Sequence, residues 1–208
     1  MIDELELKYA VDDPAALETW LDLEFPAATT DPGWRTSRMT DRYFDTADRA
    51  LEQAGYGARL RRTGELVVVG VKSDVAETAA GDGFHHRLER ESAAADSLRP
   101  ERWPASDVRD LIERATGGRR LVERFVLRQL RRERKYRLAE GRTCLLSIDR
   151  VTVVAGGESV AELRELEVEL MEGDESVLRE MAGRIAASGL ARPEPRSKMA
   201  IAALLTNR

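Results

Sequence analysis

The sequence contains one cysteine, Cys144, and two histidines in 208 residues. One cysteine forms no intrachain disulfide and no cysteine zinc site, so we expect a reducing cytoplasmic environment. No apolar run approaches the roughly 18 residues that a membrane helix needs. The amino terminus also lacks the basic and apolar regions of a signal peptide. We therefore expect neither secretion nor attachment to a membrane.

Other common functional motifs are missing as well. The chain has no glycine-rich GxxxxGK[ST] loop, which disfavours the nucleotide-binding folds built on that loop. His85 and His86 are adjacent and would point to opposite faces of a strand, so we do not expect them to share a metal. The net charge is −5 with a pI near 5.3, which argues against general nucleic-acid binding.

Charged residues are abundant, at 34% of the chain, and in several segments they alternate with apolar residues. On a strand, Glu4, Glu6 and Lys8 would share one face, while Leu5 and Leu7 would take the other. The same alternation returns in segments 59–61, 87–91 and 165–170. One such strand is ordinarily a solvated surface strand. Several of them, closed into a barrel with leucines outward, would surround a lumen lined by charges of both signs.

The overall pattern predicts an α+β fold. We expect an eight-stranded antiparallel closed β-barrel with helices packed outside, and one domain over residues 1–208. Predicted helices begin after the capping residues Asp13, Ser106 and Asp174, and a short last helix begins at Ser197. The later strands are predicted at 125–138, 142–148, 151–154 and 163–170.

The acids and bases of this pattern suit one kind of ligand. Carboxylates at alternate positions of a strand repel each other unless a cation lies between them, and their oxygens suit Mg²⁺ or Mn²⁺. Arg59 and Arg61 supply guanidinium groups that bind phosphate oxygens. A triphosphate carried with a divalent metal would satisfy both sets of charges. The acid pairs are Glu4 with Glu6, Glu89 with Glu91, and Glu167 with Glu169.

The order of the motifs resembles that of the CYTH superfamily, also called triphosphate tunnel metalloenzymes. The resemblance covers essentially the whole chain and implies an eight-stranded tunnel that binds a triphosphate with Mg²⁺ or Mn²⁺. The motifs that carry it are Glu4-x-Glu6-x-Lys8, the segment from Asp41 to Thr46, Arg59-x-Arg61, Lys72, Arg87-x-Glu89-x-Glu91, the arginines near Arg132 and Arg134, Asp149, Glu167-x-Glu169, and Ser197-Lys198-Met199.

The resemblance also implies roles for particular residues. Phosphate contacts would come from Lys8, Arg59, Arg61, Lys72, Arg87, Arg132, Arg134 and Lys198. Metal contacts would come from Glu4, Glu6, Glu89, Glu91, Asp149, Glu167 and Glu169. Of these, Glu4, Glu6, Lys8, Lys72 and Lys198 would be catalytic. The strand register leaves open which of Arg131, Arg132 and Arg134 faces the tunnel, and whether Glu165 joins Glu167 and Glu169.

The resemblance implies a metal-dependent triphosphatase in which water attacks the terminal phosphate. Inorganic triphosphate is the first expected substrate, with thiamine triphosphate or a nucleoside triphosphate as other choices. Two alternatives stay open: a class IV type adenylate cyclase, and a noncatalytic module that binds polyphosphate or a nucleotide. The expected partner is a small molecule, and the protein would be a monomer or a homodimer.

Overall fold

A computed structural model describes residues 2–25, 33–73, 84–138 and 141–206. It has an α+β architecture with one large antiparallel sheet. The strands are β1 (Ile2–Val11), β2 (Arg35–Thr46), β3 (Tyr56–Thr63), β4 (Leu66–Ser73), β5 (Phe84–Ala93), β6 (Leu121–Arg137), β7 (Thr143–Ala155), β8 (Glu158–Glu172) and β9 (Ala191–Pro193). The α-helices are α1 (Pro14–Glu24), α2 (Ala50–Gln53), α3 (Asp107–Thr116), α4 (Glu175–Ser188) and α5 (Lys198–Thr206), and a 3-10 turn spans Pro100–Arg102.

The strands follow the order β5-β4-β3-β2-β6-β7-β8-β1-β9. β1 pairs with β8 along one side, where Glu6 lies opposite Glu169 and Lys8 lies opposite Glu167. β1 also pairs with β5, the strand at the far end of this order, where Ile2 lies opposite Glu89. The first strand of the chain therefore pairs with β8 on one side and with β5 on the other, although β5 stands at the far end of the strand order.

The predicted separation of charged and apolar faces on β1 is present. Leu7 and Tyr9 are buried in a core with Leu17 of α1 and with Met181 and Ile185 of α4. A second core packs Leu60 and Val69 of the sheet against Val108 and Ile112 of α3. These helices cover the apolar face of the sheet. The charged side chains, which alternate with the apolar ones along each strand, therefore point to the opposite face.

A third core joins the last helix to the sheet. Ala202 of α5 is fully buried among Tyr43, Phe125, Leu127 and Val151. Tyr43 and Phe125 stack with their ring centroids 4.9 Å apart. This core holds α5 in place, and it therefore holds Lys198 at the first position of that helix.

The predicted helix starts are confirmed by their hydrogen bonds. Asp13 accepts from the amides of Ala15 and Ala16, Ser106 accepts from the amide of Arg109, and Asp174 accepts from the amide of Ser176. These side chains satisfy amide donors that have no partner inside the helix. Among the described residues, no helix is both long enough and apolar enough to span a membrane.

The limits of three strands differ from the prediction. β8 begins at Glu158 rather than at 163. β7 runs unbroken through Asp149, where the sequence suggested an end, because this buried carboxylate has Arg131 on the neighbouring strand as its partner. β6 begins at Leu121 rather than near 125, and the register of β2 and β6 shifts between Tyr43 and Phe44. The short β9 was not predicted.

Candidate functional site

A charged cavity of about 260 Å³ is surrounded by strand side chains and by the start of α5. Its basic residues come from β1, β3, β4, β6 and α5, and its acidic residues come from β1, β5 and β8. The predicted site residues that line it are Glu6, Lys8, Arg59, Arg61, Lys72, Glu89, Glu91, Glu167, Glu169 and Lys198. Residues from distant parts of the chain thus meet in one place, as the alternating pattern predicted.

Asp41 anchors the arginines of β3 on one side of the cavity. Its carboxylate is fully buried and accepts two hydrogen bonds of 2.8 Å from Arg61, one from Nε and one from Nη2. Gln129 donates a bond of 2.6 Å to the same carboxylate, and Arg59 lies 3.4 Å away. Burial raises the pKa of Asp41, but Arg59 and Arg61 outweigh this and hold it below its usual value.

Arg59 extends from this anchor toward the acids of β5. Its Nη2 donates to Glu89 at 2.9 Å and to Glu91 at 3.2 Å, and Glu89 also pairs with Lys72 at 2.8 Å. The Arg59 Nε is buried and has no hydrogen-bond partner among the described residues. A buried guanidinium donor without an acceptor favours binding of an additional anion at this point.

A second charged group lies around Lys198. Arg131 forms a bidentate pair with Asp149, at 2.8 and 2.6 Å, and also contacts Glu167. Lys198 lies 2.8 Å from Asp149 and 3.0 Å from Glu165, and it also pairs with Glu167. Asp149 is fully buried beneath the cavity lining, so it positions Arg131 and Lys198 from behind.

The pKa values of the two buried lysines of the site, Lys8 and Lys198, are shifted in opposite directions. Burial lowers the pKa of Lys198, but Asp149, Glu165 and Glu167 outweigh it and hold the pKa well above its usual value. For Lys8, burial is the larger effect and lowers the pKa, although Glu165 at 3.0 Å opposes it. Lys198 therefore stays cationic at neutral pH at the edge of the cavity.

The acidic residues of the cavity provide carboxylate oxygens, the type of ligand that binds a divalent metal. Glu6 and Glu169 face each other directly across β1 and β8, and both line the cavity with Glu167. Opposed carboxylates repel each other, and their oxygens are the donors that Mg²⁺ and Mn²⁺ prefer. No group of three His, Cys, Asp or Glu side chains comes together as a metal site within the described ranges. The side chain of Glu4 is not among the described side chains.

The expected phosphate contacts of Arg132 and Arg134 do not fit the structure, because neither side chain lines the charged cavity. Arg132 pairs with Glu18 of α1 at 2.6 Å, and Arg134 pairs with Asp22 at 2.9 Å and donates to the Leu21 carbonyl. Side chains alternate along a strand, so Arg131 faces the cavity while its neighbour Arg132 and Arg134 face α1. The open choice among the three arginines is thereby resolved.

Some predicted residues fall outside the described side chains. Glu4 and Arg87 have described backbones, which pair with each other across β1 and β5, but their side chains lie outside the described part. The same holds for the side chains of His85 and His86. Their predicted roles stay predictions.

Three residues of the site were not assigned by sequence reasoning. Glu165 is buried between Lys8 and Lys198, so all three acids of the 165–169 segment face the same way. The sequence left open whether Arg131 faces the site, and it indicated Asp41 only as part of a motif. Asp41 and Arg59 lie on the same face of neighbouring strands, a relation that becomes visible only once β2 and β3 are in register.

A sequence model described as the CYTH domain matches residues 3–200 of the chain. No curated protein gives a significant match. Solved structures that share the fold include the following three. The first is the Hippeastrum protein HpAC1, named as a candidate adenylyl cyclase that reveals a dominant triphosphatase activity; its TM-score is 0.69 at 21% identity, covering 95% of this chain and 94% of that one.

The second structure comes from Bacillus halodurans and is named as a candidate adenylate cyclase. Its TM-score is 0.59 at 15% identity, with 96% of this chain and 97% of that one covered. The third is a mimivirus capping enzyme triphosphatase, with a TM-score of 0.51 at 11% identity and 89% of each chain covered. At these identities the three structures show a common fold.

Proposed function

The chain belongs to the CYTH domain family, and from that premise we propose that it is a metal-dependent triphosphatase. Inorganic triphosphate is the proposed first substrate, and water is the nucleophile that attacks its terminal phosphate. We propose that residues 1–208 form one such domain and that it works in the cytoplasm.

The observation that carries this proposal is the mixed charge of one small cavity. Lys72, Arg59 and Arg131 already have carboxylate partners there, at distances of 2.5 to 3.2 Å. A triphosphate would replace Glu89, Glu91 and Glu167 as the partner of these cations, and the displaced glutamates could then hold a divalent cation. Asp41 and Asp149 would keep their arginines in place. The unsatisfied Arg59 Nε offers a further donor to a phosphate oxygen.

We propose that the sheet closes into an eight-stranded tunnel. The support is the pairing of β1 with β5, which joins the two ends of the run from β5 to β1 while β9 adds to β1 alone. Closure matters for the chemistry because charged protein groups in fixed positions then replace water around the substrate. Electrostatic stabilisation is stronger in such a site than in bulk water.

Glu6, Glu167 and Glu169 are the described residues that would hold Mg²⁺ or Mn²⁺, with Glu4 as a further candidate. When bound, the metal would neutralise charge on the phosphate oxygens and act as a Lewis acid. Glu89 and Glu91 lie on the other side of the cavity, where they would also hold metal or orient the attacking water.

The basic residues would position the substrate and stabilise the charge that develops on it. Arg59, Arg61 and Arg131 are held rigidly by Asp41 and Asp149, so little reorganisation is needed when phosphate binds. Lys198 at the start of α5 would contact the pyrophosphate that leaves when water attacks the terminal phosphate. Phosphoryl transfer depends mainly on such positioning and charge neutralisation, so the absence of a cysteine or histidine nucleophile from this proposal is no obstacle.

One assay separates the proposed activity from its alternatives. The protein would be incubated with inorganic triphosphate, thiamine triphosphate, ATP and GTP, each with Mg²⁺ or Mn²⁺, and the products would be identified. Orthophosphate release supports the triphosphatase. Conversion of ATP to cyclic AMP and pyrophosphate would instead show a cyclase, and tight binding without turnover would show a noncatalytic binding module.

A further inference from the structure

Glu165 is the first of three acids that alternate along β8, and it is more deeply buried than the other two. Its side chain is 2% exposed, and it lies opposite Asp149 on β7 and Ala10 on β1. Glu167 and Glu169 line the charged cavity, whereas Glu165 lines a separate cavity of about 330 Å³. The Glu165 carboxylate therefore lies outside the lining of the cavity that the proposed substrate would fill.

Each oxygen of the Glu165 carboxylate faces a different buried lysine. Oε1 lies 3.0 Å from the Nζ of Lys8, and Oε2 lies 3.0 Å from the Nζ of Lys198. Neither oxygen has a hydrogen-bond partner among the described residues, so the attraction between these groups is ionic. Two buried ammonium groups repel each other, and a carboxylate between them replaces the repulsion by two attractions. Glu165 therefore fixes the separation of the two lysines.

Lys8 is itself fixed by the segment that leads into α5. Its Nζ donates a hydrogen bond of 2.8 Å to the carbonyl of Arg196, and its own carbonyl accepts one of 3.0 Å from the amide of Glu194. Both partners lie just before Lys198, the first residue of α5. The pair of Lys8 with Glu165 therefore joins the backbone before Lys198 to the strand whose carboxylate holds the Lys198 amino group.

The other acids around Lys198 have further partners. Glu167 also contacts Arg131 and is a proposed metal ligand, and Asp149 forms the bidentate pair with Arg131. The ion pairs of Glu165 are with the two lysines. When Glu167 turns to a metal ion, Glu165 is left with Asp149 to hold Lys198.

We propose that Glu165 is a positioning residue, which fixes the amino group of Lys198 at the edge of the charged cavity through its ion pairs with Lys198 and Lys8. This inference rests on the proposed function, in which Lys198 contacts the leaving pyrophosphate, and it assigns Glu165 no contact with metal or substrate. The alternating acids of β8 then have two tasks: Glu167 and Glu169 hold the metal, and Glu165 orients the lysine.

The first test removes the charge of Glu165 and keeps its shape. In Glu165→Gln we expect kcat for inorganic triphosphate to fall about tenfold or more, because a displacement of about 1 Å in a reacting group can cost a factor of about 100. KM and the Mg²⁺ concentration for half-maximal rate should stay within about twofold, since the ligands of substrate and metal are unchanged. Glu165→Asp keeps the charge on a shorter side chain, so its kcat should lie between those of Glu165→Gln and the wild type.

Two further variants separate positioning from other effects. The matched control is Glu162→Gln, which neutralises an exposed acid of β8 that lines the same separate cavity, and it should leave kcat and KM unchanged. In a Lys198→Ala background, Glu165→Gln should have little further effect on kcat, because a residue that acts through Lys198 then has no group to position. Thermal melting establishes that each variant folds. If Glu165→Gln does not fold, the reduced kcat of Glu165→Asp remains the test.

A labelling measurement follows Lys198 without any turnover. The sequence has four lysines, at positions 8, 72, 135 and 198, so acetylation of each can be followed by mass spectrometry of peptides. Lys135 is exposed and serves as the internal reference. We expect acetylation of Lys198 relative to Lys135 to rise about fivefold or more in Glu165→Gln, because a side chain that has lost a buried partner opens to solvent more often. The same ratio should not change in Glu162→Gln.

Three results would overturn the inference: an unchanged kcat in folded Glu165→Gln, unchanged acetylation of Lys198, or a rise in the Mg²⁺ requirement as large as the fall in kcat, which would make Glu165 a metal ligand. A protein that hydrolyses no triphosphate but shows increased acetylation of Lys198 in Glu165→Gln would contradict the proposed function and support the positioning role. A protein that hydrolyses inorganic triphosphate but shows neither effect would contradict the positioning role alone.

Discussion

Single buried carboxylates hold the cations of the site in position. Asp41 and Asp149 are both fully buried, and each makes a bidentate pair with one arginine that faces the cavity. Such a pair costs desolvation of both charges, so removing one partner leaves the other charge buried without compensation. We therefore propose that these residues contribute to function through the geometry of their partners and not through direct contact with a substrate.

Replacing Asp41 by Asn should destabilise the fold in a way that depends on pH. The pKa of Asp41 lies below its usual value, so its charge stabilises the fold above about pH 4 and loses this effect as pH falls through the folded-state pKa. We expect Asp41→Asn to lower the free energy of unfolding at neutral pH by on the order of 3 kcal/mol. Urea unfolding across a series of acidic to neutral pH values measures both effects. Parallel stability curves for the two proteins would contradict the assignment.

Lys72 offers a milder test of phosphate binding. It is 26% exposed and its described partner is Glu89, so its removal disturbs the fold less than removal of the buried Arg59. We expect Lys72→Ala to raise Kd for inorganic triphosphate about tenfold or more, because a hydrogen bond to a charged group contributes about 1.5 to 3 kcal/mol. The control is Arg128→Ala, an exposed arginine of β6 outside the charged cavity, which should leave Kd unchanged in the same titration. Equal losses in the two variants would count against a local role for Lys72.

The sequence predicts most cavity residues but not their partners. Alternation on a strand puts Glu6 with Lys8, and Arg59 with Arg61, on one face without any knowledge of the fold. Asp41 stands in a segment where charged and aromatic residues mix, so no alternation reveals its face. Its partnership with Arg61 follows from the pairing of β2 with β3, which a single sequence does not determine.

At the scale of elements, the register of β6 decides which arginines belong to the site. Arg131 contacts Asp149 and Glu167, while Arg132 contacts Glu18 of α1. Sequence alone could not choose between them, because four basic residues crowd into 131–135 and a shift by one position exchanges the two faces. The surroundings of β6 supply the answer, since α1 covers its outer face.

The register predicts a sharp contrast between two neighbouring variants. Arg131→Ala should raise KM for inorganic triphosphate or abolish turnover, because it removes a cation from the cavity wall. Arg132→Ala should leave KM and kcat close to those of the wild type, because its partner lies on α1. Steady-state kinetics and a thermal melt of both variants provide the comparison. Loss of activity in Arg132→Ala with a normal melting temperature would mean that the register is wrong.

Helix boundaries were easier to predict than strand boundaries. Asp13, Ser106 and Asp174 are chemical signals for a helix start, and each makes the expected bond. Strand ends carry weaker signals. Asp149 suggested an end of β7 because a charge inside a strand is unfavourable without a partner, and the partner Arg131 is not adjacent in sequence.

For the whole molecule, the net charge of the protein and the charge of the proposed ligand are both negative. The chain carries −5 overall, yet its cavity gathers lysines and arginines from four strands and α5. Binding of a triphosphate therefore depends on this local concentration of cations and not on attraction by the molecule as a whole. The α+β fold could be inferred from the sequence because charged and apolar residues alternate in several segments, which indicates strands, and because capping residues mark the starts of helices.

A ligand that bridges many strands should stabilise the whole fold. We expect inorganic triphosphate with Mg²⁺ to raise the melting temperature, because a ligand at about 100 times its Kd adds about 2.7 kcal/mol to the free energy of unfolding. Differential scanning calorimetry with each component alone, with both, and with a chelator measures this linkage. A melting temperature that triphosphate does not change would contradict a binding site formed by several strands of the sheet.

The central claim is that acids and bases of one cavity act together on a triphosphate. The most direct measurement is orthophosphate release from inorganic triphosphate with Mg²⁺ or Mn²⁺, by the wild type, by Glu167→Gln, and by Glu162→Gln as an exposed control on the same strand. We predict rapid release by the wild type and by Glu162→Gln, and almost none by Glu167→Gln, which should still fold. Release at the wild-type rate by Glu167→Gln, or none by the wild type, would contradict the account.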